Sequence, residues 1–165
     1  MTEKNEATSD VSYGLGVDFG TSRIKASIIL QDGRVIDTVS VSWIEANCSK
    51  LHLGDWLKGL SFVVTKILSM HENIRKKIIS IGITTISPCL VMVNENNKTS
   101  SQMILYAEGV DSLNGRAKRT LKIFELLKNQ LPSGSRDSLF ALSANSWLVW
   151  QLSNVISLDY SSFSE

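Results

Sequence analysis

The chain has 165 residues, of which 43% are hydrophobic and 20% are charged, so it is long and apolar enough to fold around one core. The formal net charge of +1 argues against nucleic acid as a partner, because proteins that bind it carry a basic excess. No apolar run reaches the roughly 18 residues of a membrane helix, and the polar start of the chain is unlike a secretory signal. We therefore expect a cytoplasmic protein that binds neither nucleic acid nor a membrane.

The first part of the chain predicts a tail followed by an antiparallel meander. Residues 1–12 are polar and without periodicity, and we interpret them as a flexible tail. Alternating apolar residues predict strands over residues 13–19, 24–30 and 35–41, since every second side chain of a strand faces the core. The turn at residues 31–34 contains Asp-Gly, which suits a tight hairpin. Strands joined by such short turns lie antiparallel to each other.

A helix and a buried strand are predicted next. Asp55 is a suitable N-cap, because its carboxylate can accept hydrogen bonds from the first free amides of a helix. Residues 78–83 are nearly all apolar, which predicts a strand buried on both faces. The apolar positions of the helix form one stripe at helical spacing, and they are Trp56, Leu57, Leu60, Val63, Val64, Ile67 and Leu68.

The remaining chain completes an α/β domain over residues 13–165. Short strands are predicted at 90–93 and 102–106, and helices at 113–131 and 143–152. Trp147 and Trp150 are expected in the core or at a domain contact, and the alternative is a platform that stacks on a sugar. The order of elements indicates a mixed sheet with helices packed on it. It differs from the alternating strands and helices of a doubly wound dinucleotide fold.

One motif carries chemistry, the sequence Asp-Phe-Gly-Thr-Ser at the end of the first strand. Gly20 lets the backbone approach a ligand closely, and the amides of Gly20, Thr21 and Ser22 can form a concavity that binds an anion. Asp18 is placed to hold Mg²⁺, which takes only one or two carboxylates and keeps several waters. The motif therefore predicts a site for the terminal phosphates of a nucleotide. The alternative is an ordinary hairpin turn without a ligand, and Lys25 is expected to face solvent.

The sequence resembles the FGGY family of carbohydrate kinases, of the xylulokinase and gluconokinase kind, within the actin–hexokinase–Hsp70 superfamily. The resemblance spans about residues 13–164. It is carried, in chain order, by the segments DFGTSRIK, ISIGITTISPCLVMVNENNK, QMILYAEG, LLKNQLP and SANSWLVWQLSNVISLDYSSFS.

The resemblance implies an RNase H-like, actin-like ATPase fold in which ATP and a sugar or polyol meet in a cleft between two domains. Asp18 would serve Mg²⁺, and Gly20, Thr21 and Ser22 would hold the β- and γ-phosphates. The general-base aspartate of the family lies further along than residue 165, so the chain is expected to be an N-terminal domain that needs a C-terminal domain as its partner. Alone it is expected to be inactive.

The resemblance also names candidate substrate contacts, Thr85, Ser87 and Glu108. Two alternatives stay open. One is a non-catalytic sensor or binding domain, favoured by Ile86 where many relatives carry glutamine and by Val110 where they carry arginine. The other is a different ATPase of the actin-like superfamily. A homodimer is a further possibility that the sequence leaves open.

Overall fold

The computed structural model describes residues 11–87, 89–94, 100–105, 122, 125 and 139–158. The predicted tail over residues 1–12 therefore lies almost wholly outside the described residues. The predicted helix over residues 113–131 does too, apart from Lys122 and Glu125, which are both helical. In the part of the chain that is described, no helix combines the length and apolarity needed to cross a membrane.

The first sheet contains the predicted meander. Strands β1 (Tyr13–Phe19), β2 (Arg23–Leu30) and β3 (Val35–Ser42) are antiparallel neighbours, so the meander is confirmed. Helix α1 (Leu53–Met70) carries the chain across to strand β4 (Ile78–Thr85), which pairs with β1 in parallel. The strand order is β3-β2-β1-β4, and the helical crossover is what allows the parallel pair.

A second, separate sheet follows. The strands predicted over residues 90–93 and 102–106 correspond to two of its strands, but the sequence predicted neither its third strand nor its separation from the first sheet. Strands β5 (Cys89–Asn94), β6 (Ser100–Leu105) and β7 (Leu139–Ser143) form an antiparallel sheet in the order β6-β5-β7. Helix α2 (Ala144–Ser153) begins directly after β7. The Ser143 hydroxyl caps it by accepting a hydrogen bond from the Ser146 amide at 3.1 Å. Strand β7 has only five residues, too few for a clear periodicity.

One face of the first sheet is buried together with α1, α2 and the second sheet in a single core. Helix α1 packs on β2 and β3, while α2 packs on β4, β5 and β7. The predicted apolar stripe of α1 is buried or partly buried. Trp147 and Trp150 are buried in the same core, as predicted.

The predicted cap of α1 was wrong. The helix begins at Leu53, so Asp55 lies inside the first turn. Its carboxylate accepts hydrogen bonds from the Ser49 amide at 3.0 Å and from Lys58 Nζ at 2.6 Å. Both bonds hold the pKa of Asp55 below its ordinary value, and the bond from Lys58 has the larger effect. A carboxylate in the first turn still interacts favourably with the helix dipole.

Two burial predictions on the sheet also need correction. Strand β4 is not buried on both faces, since Ile79 is 70% and Ile81 is 46% exposed. It forms the edge of the first sheet, whereas α1 covers β2 and β3. In β3, the alternation over residues 35–41 predicted that Val35 faces the core. The pairing of β3 with β2, however, shifts in register between Ile28 and Ile29 of β2. A one-residue shift changes the face that a side chain occupies, and Val35 is 58% exposed.

A hydrogen-bonded pair ties the edge strand β3 to the end of α1. His71 Nε2 lies 2.8 Å from Asp37 Oδ2. This contact is the main reason that the pKa of Asp37 lies below its ordinary value, and the hydrogen bond that the Thr38 amide donates to Asp37 is the second. A carboxyl with a lowered pKa in the folded state stabilises the fold above its unfolded pKa, and this stabilisation is lost as the pH falls through the folded pKa.

We therefore expect Asp37→Asn to unfold at lower urea concentration than the wild type at pH 5–6. The difference should shrink as the pH falls below about 4, where the unfolded aspartate is protonated. Urea denaturation followed by circular dichroism at a series of pH values measures it. A difference that stays constant down to pH 2 would contradict the role of the Asp37 charge.

Candidate functional site

A polar row crosses the open face of the first sheet at the carboxyl end of β1. Asp18 pairs with Lys25 of β2 on one side and with Thr84 of β4 on the other. Side chains of directly paired residues share a face and lie about 5 Å apart at Cβ. A carboxylate, an ammonium group and a hydroxyl therefore stand side by side. The next row along the strands consists of Ser27, Gly16 and Gly82.

A cavity of about 500 Å³ lies over these two rows and is lined by Asp18, Lys25 and Thr84 among others. Its size falls within the range of small-molecule sites, roughly 300–1,000 Å³. Gly16 and Gly82 also line the cavity. Because neither has a side chain, only their backbone atoms bound the cavity at these two positions. A Cβ placed on Gly82 would meet nothing within 4 Å, so the space above that strand is open.

The hairpin loop between β1 and β2 adjoins the row. The Gly20 amide donates a hydrogen bond to the Arg23 carbonyl at 2.9 Å, so this amide is not available to a ligand. Of the three amides predicted to bind an anion, those of Thr21 and Ser22 remain. Both of these residues are exposed. Gly20 has a steric role instead, because a Cβ there would lie 3.1 Å from the Arg23 carbonyl oxygen.

Of the predicted substrate contacts, Thr85 is outside this row. Thr85 pairs with Phe19 and therefore lies on the face opposite Asp18, where its hydroxyl makes a weak 3.4 Å contact with the Ile86 carbonyl. Ser87 is exposed beyond the end of β4, and its role stays a prediction. Glu108 lies outside the described residues.

Two residues of the row were missed as site residues. Lys25 is exposed, as expected, but it stands directly opposite Asp18. This position of Lys25 could have been predicted from the sequence, because the tight loop closed by the Gly20–Arg23 hydrogen bond fixes the pairing of Asp18 with Lys25. Thr84 had no such signal, since the parallel register of β4 against β1 is set by a long crossover and not by a local turn.

The row fits a magnesium ion that takes most of its ligands from elsewhere. Asp18 supplies the carboxylate of the row. Among the described residues, its carboxylate makes no hydrogen bond and no salt bridge. Within the same residues, no three potential metal ligands are grouped together. Mg²⁺ commonly uses one or two carboxylates together with waters and substrate phosphates, which is an arrangement that a single aspartate beside an exposed loop permits.

The fold is that of several solved sugar and polyol kinases. Plasmodium falciparum glycerol kinase, crystallised with ADP, matches 92% of this chain at a TM-score of 0.64 and 12% identity, over 40% of its own length. Ligand-bound xylulose kinase from Lactobacillus acidophilus matches 88% at 0.62 and 14% identity, over 34% of its length. Gluconate kinase from the same organism matches 88% at 0.58 and 13% identity, also over 34% of its length.

The expected α/β fold, a mixed sheet with helices packed on it, is confirmed, and these kinases share it. The chain spans about 34–40% of the length of these kinases. No family's sequence model matches the chain, and no curated relative matches it by sequence, so the likeness is one of fold.

Proposed function

We propose that the chain, over residues 13–165, is the N-terminal domain of a carbohydrate kinase that transfers the γ-phosphoryl group of ATP to a hydroxyl of a sugar or polyol. The observation that carries the proposal is the position of Asp18. It stands in one row with Lys25 and Thr84, beside an exposed hairpin loop and over an open cavity. The fold shared with sugar and polyol kinases supports the reaction class.

Each residue of the row has a chemical role in this proposal. Phosphoryl transfer needs mainly positioning and neutralisation of charge. Asp18 would hold Mg²⁺, which when bound shields the charge of the phosphates. Lys25 adds a positive charge on the same face, and the amides of Thr21 and Ser22 donate to phosphate oxygens. Thr84 supplies a hydroxyl for a polar group of the ligand.

A second domain completes the proposed enzyme. The kinases of the same fold are about 2.5–3 times as long as the stretch that matches this chain. We assign the general base and the adenosine pocket to such a partner domain, so the 165-residue chain alone should show no turnover. The proposed location is the cytoplasm, which accords with the absence of a disulfide between Cys48 and Cys89. A homodimer stays a prediction.

The proposal is tested by titrating the chain with ADP and Mg²⁺ in a calorimeter. The wild type is expected to bind ADP through its phosphates and Mg²⁺, since the adenosine pocket is assigned to the partner domain. Asp18→Asn should weaken this binding at least tenfold, because it removes the carboxylate and keeps the shape. Excess EDTA should bring the wild type to the level of the variant. The matched control is Asp32→Asn, in the exposed turn between β2 and β3, which should bind like the wild type. Equal binding by all three proteins would contradict the role of Asp18.

A non-catalytic binding domain is the second candidate, and Ile86 favours it. Its amide donates to the Phe19 carbonyl at 3.0 Å, and its side chain packs against the core. A core side chain at that position offers no polar group to a sugar, whereas many relatives in the resembled family carry glutamine there. An assay of ATP-dependent phosphorylation by the full-length protein, with a panel of pentuloses, hexonates and polyols, separates the two. Binding without any phosphorylated product would favour the second.

A further inference from the structure

We propose that Trp43 and Lys50 are positioning residues that orient two peptide groups of the β1–β2 loop, so that the amides of Thr21 and Ser22 face a bound phosphate. The inference rests on the proposed function for its ligand. The orientation itself follows from hydrogen bonds on the inner side of the loop and can be measured without a ligand.

Trp43 fixes the first of the two peptide groups. Its indole Nε1 donates to the Gly20 carbonyl at 3.1 Å. The ring is buried and packs against Phe19 and Trp56, with ring centroids 5.9 and 5.7 Å apart, so this donor has little freedom to move. In a trans peptide the C=O and the following N–H point in opposite directions. Because the Gly20 carbonyl points inward to Trp43, the Thr21 amide points outward.

Lys50 fixes the second peptide group in the same way. Its Nζ donates to the Thr21 carbonyl at 3.2 Å, and the Ser22 amide of that peptide is thereby directed outward. Lys50 is itself held in place, since its own carbonyl accepts a hydrogen bond from Trp56 Nε1 at 3.0 Å. Its ammonium group also brings a positive charge beneath the loop, which favours an anion on the outer side.

The two contacts together build an anion site in advance of binding. Successive outward amides form the concavity that binds phosphate groups in many proteins. A short exposed loop would otherwise spend conformational entropy to align these amides when the ligand arrives. The fixed carbonyls of Gly20 and Thr21 remove that cost. Lys50 lies in the connection between β3 and α1, far from the motif in sequence, so no local pattern marks it.

The orientation is tested by residual dipolar couplings of the backbone amides in the 165-residue chain. Lys50→Met removes the ammonium group and should change the coupling of Ser22. Trp43→Phe keeps an aromatic ring, removes the N–H donor and should change the coupling of Thr21. Lys50→Arg keeps a donor and should resemble the wild type. Lys66→Met, an exposed lysine of α1, is the matched control and should change neither.

The consequence for binding is tested with inorganic pyrophosphate as the probe. Loss of either donor is expected to weaken binding about threefold to tenfold, as for one ordinary hydrogen bond, with the rest of the amide spectrum unchanged. Couplings of Thr21 and Ser22 that stay at wild-type values in both variants would overturn the positioning role. Absence of pyrophosphate binding in the wild type would instead overturn the proposed phosphate site, and the couplings would still decide the orientation.

Discussion

Trp56→Ala is expected to lower the free energy of unfolding by about 3–5 kcal/mol, the usual cost of removing a large aromatic side chain from a core. Trp56 is fully buried near the start of α1. Its ring stacks on Phe19 at a centroid distance of 5.2 Å and an angle of 6°. Domains of this size are stable by only about 5–15 kcal/mol, so this single change should remove a large part of the total.

Urea denaturation of the purified chain measures this loss, with two variants for comparison. Trp56→Phe keeps an aromatic ring against Phe19 and loses the hydrogen bond from Nε1 to the Lys50 carbonyl, so it should fall between the wild type and Trp56→Ala. Phe62→Ala removes an aromatic ring from the outer side of the same helix, where Phe62 is 41% exposed, and should cost less than about 1.5 kcal/mol. A loss for Trp56→Ala no larger than that of Phe62→Ala would contradict the packing described.

The first sheet was predictable because its signals are local. The bounds of β1, β2 and β3 agree with the alternation of apolar residues to within one residue. The meander follows from two short turns, and such turns leave a strand no choice of neighbour. The buried face of α1 was equally readable, since helical periodicity depends on residues only three or four apart.

The failures have long-range causes. The exposure of Ile79 depends on which strand occupies the edge of the sheet and on where α1 crosses it. The second sheet depends on the pairing of β5 with β7, whose residues lie some 50 positions apart in the chain. The predicted cap of α1 failed for a local reason instead: the helix begins earlier, at Leu53, and the Asp55 carboxylate accepts a hydrogen bond from the Ser49 amide.

The candidate site shows the same division. Asp18 and the loop residues could be proposed from the sequence because they form one continuous motif. Thr85, which the resemblance proposed as a substrate contact, lies on the opposite face from Thr84, because neighbouring residues of a strand point to opposite faces. The inner supports of the loop, Trp43 and Lys50, come from positions 20–30 residues away. Only the folded chain brings them together.

Lys25→Glu is expected to have the largest effect on ligand binding. Lys25 stands directly opposite Asp18 and lines the same cavity. The substitution removes a positive charge and adds a negative one where the proposed function puts anionic phosphates. Charges a few ångströms apart near a protein surface interact strongly, and phosphate recognition depends on charge-assisted hydrogen bonds. Affinity for ADP and Mg²⁺ should therefore fall by at least about a hundredfold.

The fold should tolerate this change, because the Lys25 side chain is exposed and like charges opposite each other in a sheet cost only about 0.2–1 kcal/mol. Lys25→Met separates the two effects, since it removes the positive charge without adding a negative one and should lose less affinity than Lys25→Glu. The matched control is Lys66→Glu on α1, which reverses a charge away from the cavity and should leave affinity unchanged. Calorimetric titration measures binding, and thermal unfolding checks that each variant is folded. If the two glutamate variants bind equally well, phosphates do not bind over the Asp18 row, and the site must be sought on another face of the domain.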